Sequence, residues 1–365
     1  SAASDVYKRQ YKTLVFLQHT YYNKNKGGNE MKASIRQISE MTGFSPATVS
    51  NALNNKRGVN HETAAKILEA AHACGYLSEG GNIHSIRFVI YKDSGQVVSD
   101  TPFFSALIEG VEMESRVGNF ETVIWNLNRS APDYDERLKQ LLTDPTSGIL
   151  LLATELDEEE AAKFKSALAP VVVLDNWFEN SSFNSVLISN TDSTCAAAEY
   201  LIANGYKEIG YLKSNINIKN FFYRQEGYER ALKAHGLEIP ENGLISLPPT
   251  MDGARVQMNR LLSAGIRLPE ALLADNDIIA LGAMKAMQDH GIRIPEDVSI
   301  IGFDDLPFCS ITTPGLTTIH VYKQEMGRTA VRRLLELIRN GDRFVTKSQI
   351  CTEFVERGSV CKRTD

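Results

Sequence analysis

Between residues 31 and 78, the spacing of apolar residues predicts short helices. Apolar side chains recur at three-residue steps over positions 35–41, and Gly43 follows them as a helix-ending residue. The next stretch, GFSPATVSNALNNKRG, offers Ser45 as an N-cap and Pro46 at the first helical position, where a missing N–H costs nothing. The pattern therefore predicts two helices separated by a tight turn.

The rest of this segment predicts how the helices pack and where a third one lies. Val49 and Leu53 are four residues apart and face the same side of the second helix. Asn60 is a favourable cap for a third helix, and Gly75 is placed to end it. The predicted buried face of the third helix consists of Ala64, Ile67, Leu68 and Ala71. Three short helices in this order are typical of a helix-turn-helix bundle.

After residue 85 the pattern changes to strands that alternate with helices. Continuous apolar runs predict buried strands at 86–91, 120–125, 147–153 and 170–175, and amphipathic stretches between them predict helices. The alternation then starts again with TCAAAEYLIANG, EIGYL, RQEGYERALKAHG, MNRLLSAG, EALLAD, IIALGAMKAMQDHG and VSIIGFDD. Units of this kind form parallel sheets that are covered on both faces. Two rounds of them predict two similar α/β lobes with a cleft between them.

Ligands of open α/β sheets bind outside the carboxyl ends of the strands. Trp125, Asp175 and Asp304 fall at those predicted ends. We therefore expect the cleft between the two lobes to be a ligand site that contains these side chains.

Charge is distributed unevenly along the 365 residues, whose formal net charge is −6. Segment 31–78 carries +2 and segment 1–30 carries +3, so segment 79–365 carries −11. Apolar residues make up 43% and charged residues 23%, which is the ordinary balance of a globular protein. A basic small module on an acidic body indicates that only the module approaches a polyanion.

The sequence lacks the features that are typical of metalloproteins, membrane or exported proteins, and several enzyme classes. The five cysteines are scattered without metal-binding spacing, so we expect reduced thiols, no metal and no cofactor. No apolar run approaches the roughly 18 residues that cross a bilayer, and TLVFL is too short for a signal peptide, so a cytoplasmic protein without membrane contact is expected. The motifs G-x-S-x-G, H-E-x-x-H and G-x-x-x-x-G-K-[ST] are absent, which argues against an enzyme.

The segment IRQISEMTGFSPATVSNALNNKRGVNHETAAKILEAAHACGY resembles the DNA-binding head of the lactose-repressor (LacI/GalR) family of bacterial transcription regulators. Further matching segments follow in collinear order: FFSALIEGVE, VVVLDN, YRQEGYERAL, LADNDIIALGAMKAM, IPEDVSIIGFDD and PGLTTIHVYKQEMGRTAVRRLLELI. The match covers about residues 33–360. It implies a small all-α helix-turn-helix domain joined to a two-lobed α/β domain with parallel sheets, like the type I periplasmic sugar-binding proteins.

The resemblance and the pattern together predict a domain organisation. Residues 1–30 are expected to be a disordered or non-native leader, because Gly27-Gly28 just before Met31 can be encoded by a ribosome-binding run. The DNA-binding domain is then 31–78, the linker 79–85, and the effector-binding and dimerisation domain 86–365. Within that domain, the N-lobe is expected at about 86–189 and 320–345, and the C-lobe at about 190–319 and 346–365.

The resemblance assigns the DNA contacts to the second helix and the residues after it. Base-reading positions are Pro46, Ala47 and Asn51, since Asn pairs with adenine while Ala and Pro touch a thymine methyl group. Many relatives carry Arg where this chain has Asn51, so the operator is expected to be shifted away from guanine at that step. Phosphate contacts are assigned to Ser45, Thr48, Ser50, Asn54, Lys56 and Arg57. The alternative is that these small polar residues only solvate a helix face.

The linker departs from the family pattern. In relatives, a segment about twice as long forms a hinge helix that inserts leucines into the minor groove. Here only 77–85 separates Tyr76 from Ile86, and it contains Gly80-Gly81, which disfavours helix by about 1 kcal/mol per glycine. We therefore expect a short linker without a hinge helix and a less kinked operator.

In the cleft, the resemblance implies an effector site. Arg224 presents a fork of donors suited to vicinal hydroxyls or a carboxylate, and Asn276, Asp304 and Asp175 occupy the other matched positions. Aromatic faces at Phe103, Phe104, Trp125 or Trp177 can stack on a sugar ring, and Phe103 and Trp125 are the two that we assign to the site. The alternatives are that Asp175 only forms a turn and that Trp125 is core.

These observations predict a homodimeric, ligand-responsive repressor of carbohydrate-metabolism genes. Its partners are expected to be a pseudo-palindromic double-stranded operator and a sugar effector. A nucleoside effector, or a regulator without any effector, fits the same residues. A transport-type sugar-binding protein is the rival class, but it requires an export signal and no helix-turn-helix.

Overall fold

The computed structural model describes residues 34–53, 59–60, 63–64, 66–67, 70–71, 74, 83–98, 102–180, 182–340 and 344–363. The predicted leader, residues 79–82 of the linker, and Asn54, Lys56 and Arg57 lie outside these ranges. The chain divides into two compact units, residues 1–82 with 338–341 and residues 83–337 with 342–365.

The first unit contains the two predicted helices, α1 (Ile35–Thr42) and α2 (Pro46–Leu53). Ser34 caps α1 in a reciprocal capping box, and Gly43 ends it with a left-handed φ of 77°. The Ser45 hydroxyl accepts a hydrogen bond from the Thr48 N–H at 3.1 Å, so α2 begins at Pro46 as predicted. The tight turn between the helices follows from these caps.

Apolar side chains hold this unit together. Ile38, Val49 and Leu53 are buried, whereas Met41 is exposed. The Asn60 side chain accepts a hydrogen bond from the Thr63 N–H at 2.8 Å, which is the predicted cap. Described residues of 63–71 are helical, and Ile67 and Ala71 are buried among them. Small helices of this size are stabilised mainly by this shared apolar face.

The second unit begins with a six-stranded sheet, which we call the N-lobe. Its strand order is β11-β5-β4-β3-β1-β2, and all of its pairs are parallel. The strands are β1 (Ser85–Lys92), β2 (Glu121–Asn128), β3 (Ser147–Leu152), β4 (Val171–Leu174), β5 (Asn184–Ile188) and β11 (Lys347–Ile350). The helices are α3 (Pro102–Val117), α4 (Tyr134–Leu142), α5 (Glu158–Lys163) and α11 (Lys323–Asn340). β3 is buried along its whole length, as a central parallel strand covered on both faces should be.

A second parallel sheet, of four strands in the order β7-β6-β8-β9, forms the C-lobe. Its strands are β6 (Ile209–Ser214), β7 (Leu244–Leu247), β8 (Ala271–Ala274) and β9 (Ser299–Ile301). Its helices are α6 (Asn190–Ala203), α7 (Lys219–Ala234), α8 (Met251–Ser263), α9 (Asp277–Asp289) and α10 (Phe308–Ile311). The alternation of apolar runs did not indicate β5 or β7, because both are short and contain polar residues.

The chain crosses between the lobes near residues 189, 321 and 351. At the second and third crossings, β10 (Thr318–His320) pairs antiparallel with β12 (Glu353–Val355). The prediction that the C-lobe resumes at residue 346 is wrong, because β11 (Lys347–Ile350) pairs with β5 in the N-lobe sheet. The chain reaches the C-lobe only afterwards, where Ser359 donates to the Ile300 carbonyl at 2.6 Å.

Close contact between α6 and α7 positions the most important buried side chain of the C-lobe. Gly227 lies on α7 one turn after Arg224, and a Cβ atom built at Gly227 would be 2.2 Å from the Thr191 carbonyl oxygen. Only glycine allows the two helices to approach this closely. The approach brings Arg224 against Asn190 at the start of α6.

We expect Gly227→Ala to lower the free energy of unfolding by about 1–3 kcal/mol, because the added methyl group forces the α6 backbone away. Urea denaturation measures the change. Lys233→Ala, an exposed position on the same helix, is the control and should stay within about 0.5 kcal/mol of the wild type. Equal stability of the two variants would contradict the close contact.

Candidate functional site

Five of the six predicted effector residues meet in a small cavity between the lobes, which we call the cleft. Phe103 lies in the first turn of α3, Asp175 follows β4, Arg224 is on α7, Asn276 precedes α9 and Asp304 follows β9. The cavity volume is about 40 Å³. This is far below the roughly 300–1,000 Å³ of ligand pockets, so the cleft in this structure is too small for a ligand of ordinary size.

Arg224 is buried and held on several sides. Its Nε donates to Asn190 Oδ1 at 2.8 Å, and its Nη1 donates to the Asp275 carbonyl at 2.5 Å. Its Nη2 lies 3.5 Å from Asp304 Oδ1, and the Phe303 ring centroid is 3.6 Å from the guanidinium carbon. The guanidinium plane is therefore fixed by its neighbours while one edge faces the Asp304 carboxylate.

Asp175 is 3% exposed and has one oxygen without a partner. Its Oδ2 accepts a hydrogen bond from the Thr154 hydroxyl at 2.6 Å, but Oδ1 makes no hydrogen bond with the described residues. Burial raises the pKa of Asp175 to about 6, against the lowering effects of Thr154 and Arg224. A buried acceptor without a donor is costly, so this oxygen is a place for a ligand donor.

Asp304 repeats this pattern from the other lobe. Its Oδ1 also makes no hydrogen bond with the described residues, although Arg224 is in ion-pair range. Burial raises its pKa, while Arg224 and Lys323 oppose that shift. Both Asp304 and Asp175 have positive φ angles, 112° and 64°, which are unusual for residues other than glycine. Strained backbone that aims two carboxylates into one cavity is characteristic of a functional site.

Asn276 lines the cleft, but half of its amide is already used. Its Oδ1 caps α9 by accepting a hydrogen bond from the Ile279 N–H at 2.9 Å. Its Nδ2 is the group that is left to donate to a ligand. The flanking acids are structural: Asp275 accepts from the Tyr211 hydroxyl at 2.7 Å, and Asp277 accepts from the Leu306 N–H at 2.8 Å.

The placement of Trp125 in the cleft is wrong. β2 continues to Asn128, so Trp125 lies inside the edge strand and not at its carboxyl end. Its ring is flanked by the guanidinium groups of Arg87 and Arg137, each 4.5 Å from the ring centroid. The strand continues through Asn126, Leu127 and Asn128, because an edge strand tolerates polar side chains such as the two asparagines. Phe103, by contrast, does line the cleft beside Phe104.

Sequence reasoning missed several residues of the cleft. Thr154 follows β3 and holds Asp175, Asn220 donates its Nδ2 to the Asp175 carbonyl at 3.1 Å, and Phe303 stacks on Arg224. Thr154 and Phe303 could have been predicted from their positions, because both follow strands at the carboxyl edge of their sheets. Asn220 carried no such signal, since its role depends on how α7 meets the N-lobe.

A single carboxylate holds the loop that brings Val97 to the cleft. Glu155 accepts hydrogen bonds from the backbone N–H groups of Asp93, Gly95, Val97 and Val98, at 2.8, 2.9, 3.0 and 3.1 Å. Burial by itself raises the pKa of Glu155, but the four donors outweigh it, and the net shift is downward. The ionised form of Glu155 therefore stabilises this loop.

The candidate DNA-binding face lies at the start of α2. Pro46 and Ala47 are exposed, and Asn51 is half-buried on the same helix. The Ser45 and Thr48 hydroxyl groups are hydrogen-bonded to each other, with their oxygens 2.8 Å apart, and Ser45 also caps α2. The first turn carries no acidic residue, which leaves its N–H groups compatible with a phosphate.

Other kinds of site are not found in the part of the chain that the structure describes. Those residues contain no group of three or more His, Cys, Asp or Glu side chains arranged to hold a metal ion. None of the helices described is long and apolar enough to cross a membrane. The five cysteines are unpaired.

We expect the charge on Asp175 to destabilise the protein as the pH rises. The native state binds this proton more tightly than the unfolded chain does, because the pKa is about 6 instead of 3.8. The contribution of Asp175 to the free energy of unfolding is therefore greatest below pH 3.8, and it falls as the pH rises towards 6. The isosteric Asp175→Asn keeps the bond to Thr154 and should gain roughly 3 kcal/mol relative to the wild type over that range. Urea denaturation between pH 4 and pH 7 tests this, and a constant difference would contradict it.

Comparisons with known proteins agree with this architecture. A family model described as a periplasmic binding protein-like domain matches residues 198–360. The repressor PurR of Mannheimia succiniciproducens, an HTH-type transcriptional repressor, is 31% identical over 333 residues, which cover 90% of this chain and 99% of PurR.

Solved structures share the fold. The transcriptional regulator CelR in complex with cellobiose superposes with a TM-score of 0.68 at 22% identity, covering 90% of this chain and 99% of CelR. The lac repressor dimer bound to operator and the anti-inducer ONPF superposes with a TM-score of 0.66 at 24% identity, covering 90% of this chain and 98% of that one. The predicted family and fold class are confirmed: the chain belongs to the LacI/GalR family of helix-turn-helix transcriptional regulators.

Proposed function

We propose that this regulator is a homodimeric repressor that binds a hydroxyl-rich effector, a sugar, in the cleft and controls carbohydrate-metabolism genes through a pseudo-palindromic operator. The observation that carries the proposal is the pair of buried carboxylate oxygens, on Asp175 and Asp304, that make no hydrogen bond with the described residues. Both are acceptors, so the matching ligand presents donors. Sugar hydroxyls are donors of this kind.

The lobes supply complementary contacts to such a ligand. Asp175 belongs to the N-lobe, and Asp304 and Asn276 belong to the C-lobe, so one ligand bonded to all three links the lobes. Arg224 would donate from its remaining edge, and Phe103 offers an aromatic face. The CelR structure with cellobiose is of a related fold with a sugar, which supports the same class of ligand here. A nucleoside effector is the alternative outcome.

Effector control follows from the size of the cleft. A cavity of about 40 Å³ does not admit a sugar, so binding requires the lobes to open and close again around the ligand. An effector that favours one lobe orientation shifts the population towards it, and the shift is limited by its differential affinity. In a dimer, such a reorientation changes the separation of the two recognition helices, which must span half-sites about 34–36 Å apart.

On the DNA side, α2 is the recognition helix of the proposal. Asn51 would pair with adenine, and Pro46 and Ala47 would contact thymine methyl groups in the major groove. Lys56 and Arg57, which follow α2, would neutralise phosphates. A repressor acting on an operator does its work in the bacterial cytoplasm and catalyses no reaction.

The first test identifies the effector. In a thermal-shift screen against sugars and nucleosides, a sugar at about 100 times its Kd should stabilise the wild type by about 2.7 kcal/mol. This corresponds to a rise in Tm of about 3–4 °C for a chain of this size. Arg224→Ala should lose the response, whereas the exposed control Lys233→Ala should keep it. If the ligand raises the Tm of Arg224→Ala as much as that of the wild type, Arg224 does not bind the effector. If only nucleosides raise the Tm, the effector is a nucleoside and not a sugar.

The second test concerns base recognition by α2. With an operator selected from random duplexes, Asn51→Ala should weaken specific binding by about 1–3 kcal/mol and leave the salt dependence of binding unchanged. Lys56→Ala is the contrasting control, because losing a phosphate contact should weaken binding to every sequence and lower the salt dependence. Fluorescence anisotropy at several salt concentrations separates the two. Uniform weakening by Asn51→Ala would rule out its role in base recognition.

A further inference from the structure

A second cavity lies beside the cleft, on the other side of α7, and its volume is about 380 Å³. Trp177, Lys347 and Gln349 line it from the N-lobe, and Lys219, Tyr223 and Thr191 line it from the C-lobe. We call this cavity the lateral pocket. It falls within the roughly 300–1,000 Å³ of small-molecule sites, whereas the smaller cleft does not.

Two ammonium groups and one indole ring dominate the lateral pocket. Lys219 Nζ is 4.3 Å and Lys347 Nζ is 4.0 Å from the centroid of the Trp177 ring. The Tyr223 ring stacks against Trp177 with 6.0 Å between centroids. Lys219 Nζ also donates to the Trp177 carbonyl at 2.8 Å. The lysines therefore converge on one aromatic platform from two lobes.

The positive charge of these lysines is only partly compensated within the pocket. Of the two acids that line it, Asp192 is bound by Arg230 at 2.7 Å and Glu226 is exposed at the rim. Neither lysine forms an ion pair within 4.0 Å among the described residues. Burial lowers the pKa of Lys219, with Lys347 adding to the shift and Glu158 and Glu179 opposing it. Two positive charges beside one ring in the same pocket attract an anion.

We propose that the lateral pocket binds a small organic anion, whose phosphate or carboxylate group is held by Lys219 and Lys347 against Trp177. The neutral polar groups of Thr191, Ser189 and Gln349, which also line the pocket, would accept hydrogen bonds from hydroxyls of the anion or donate hydrogen bonds to them. Charge-assisted bonds to two lysines supply most of the affinity.

The position of the pocket gives this ligand a regulatory role. It is lined from both lobes, so an occupant stabilises the arrangement of the lobes in which Lys219 reaches the Trp177 carbonyl. Its inner wall is Asn190 and Asn220, joined by a hydrogen bond of 2.9 Å. Asn190 also holds Arg224, and Asn220 also holds the Asp175 carbonyl, so the same two amides support the cleft. The two ligands are therefore coupled through a shared wall.

The chain offers a direct spectroscopic test, since it contains two tryptophans, Trp125 and Trp177. In the Trp125→Phe variant of the full chain, the emission reports on Trp177 alone. Glycerol 3-phosphate, inorganic phosphate and citrate are titrated against it, with neutral glycerol as the control. We expect at least one anion to change the emission saturably at millimolar concentration or below and glycerol to have no effect. Phosphates and citrate distinguish a phosphate ligand from a carboxylate ligand.

Charge removal then assigns the response to the pocket. Lys347→Gln, at an exposed position that does not endanger folding, should weaken anion binding about tenfold or more, and Lys219→Gln should do the same. Lys233→Gln removes an exposed charge from α7 outside the pocket and should leave binding unchanged. An absence of any saturable response, or equal affinity in Lys347→Gln and Lys233→Gln, would overturn the proposal. The measurement contains neither DNA nor a cleft ligand, so its outcome is independent of the proposed sugar.

Discussion

The buried guanidinium of Arg224 is the interaction on which the ligand-binding unit depends. Removing such a charge from water costs several kcal/mol, and only a complete set of partners offsets that cost. Those partners come from the start of α6, the end of β8 and the loop after β9, at Asn190, Asp275 and Asp304. One side chain thus fixes the relative positions of three elements of the C-lobe. The close approach at Gly227 is what allows it to reach them.

Several contacts between the lobes around the cleft are single hydrogen bonds, which suits a protein that must open. Asn220 donates to the Asp175 carbonyl at 3.1 Å, Lys219 donates to the Trp177 carbonyl at 2.8 Å, and Lys323 donates to the Asp304 carbonyl. Each such bond contributes about 0.5–1.5 kcal/mol net. Their sum is of the size that a ligand of ordinary affinity can outweigh or reinforce, so the lobe orientation can respond to ligand binding.

Local sequence determined more of the fold than of the site. Gly43, Ser45 and Pro46 correctly predicted where α1 ends and α2 begins, because capping signals act within one helical turn. The extent of β2 could not be predicted, because an edge strand accepts polar residues. The prediction that Trp125 lies in the cleft was wrong for the same reason. Asn220 was missed because its function arises where two lobes meet. Pairing of β11 with β5 joins residues about 160 positions apart, which no local pattern encodes.

The two cavities favour ligands of opposite charge character, and the hydrogen bond between Asn190 and Asn220 lies between them. The cleft presents carboxylates and requires donors, whereas the lateral pocket presents ammonium groups and requires an anion. The amides of Asn190 and Asn220 separate them, and each amide serves both sides through its two different ends. An Asp at position 220 would place another charge beside buried Asp175, and an Asp at position 190 would lose the N–H group that donates to Asn220. An apolar residue at position 190 would leave the Nε of Arg224 without its acceptor, and one at position 220 would leave the Asp175 carbonyl without its donor. Asparagine is therefore the side chain that allows both sites to exist next to each other and to influence one another.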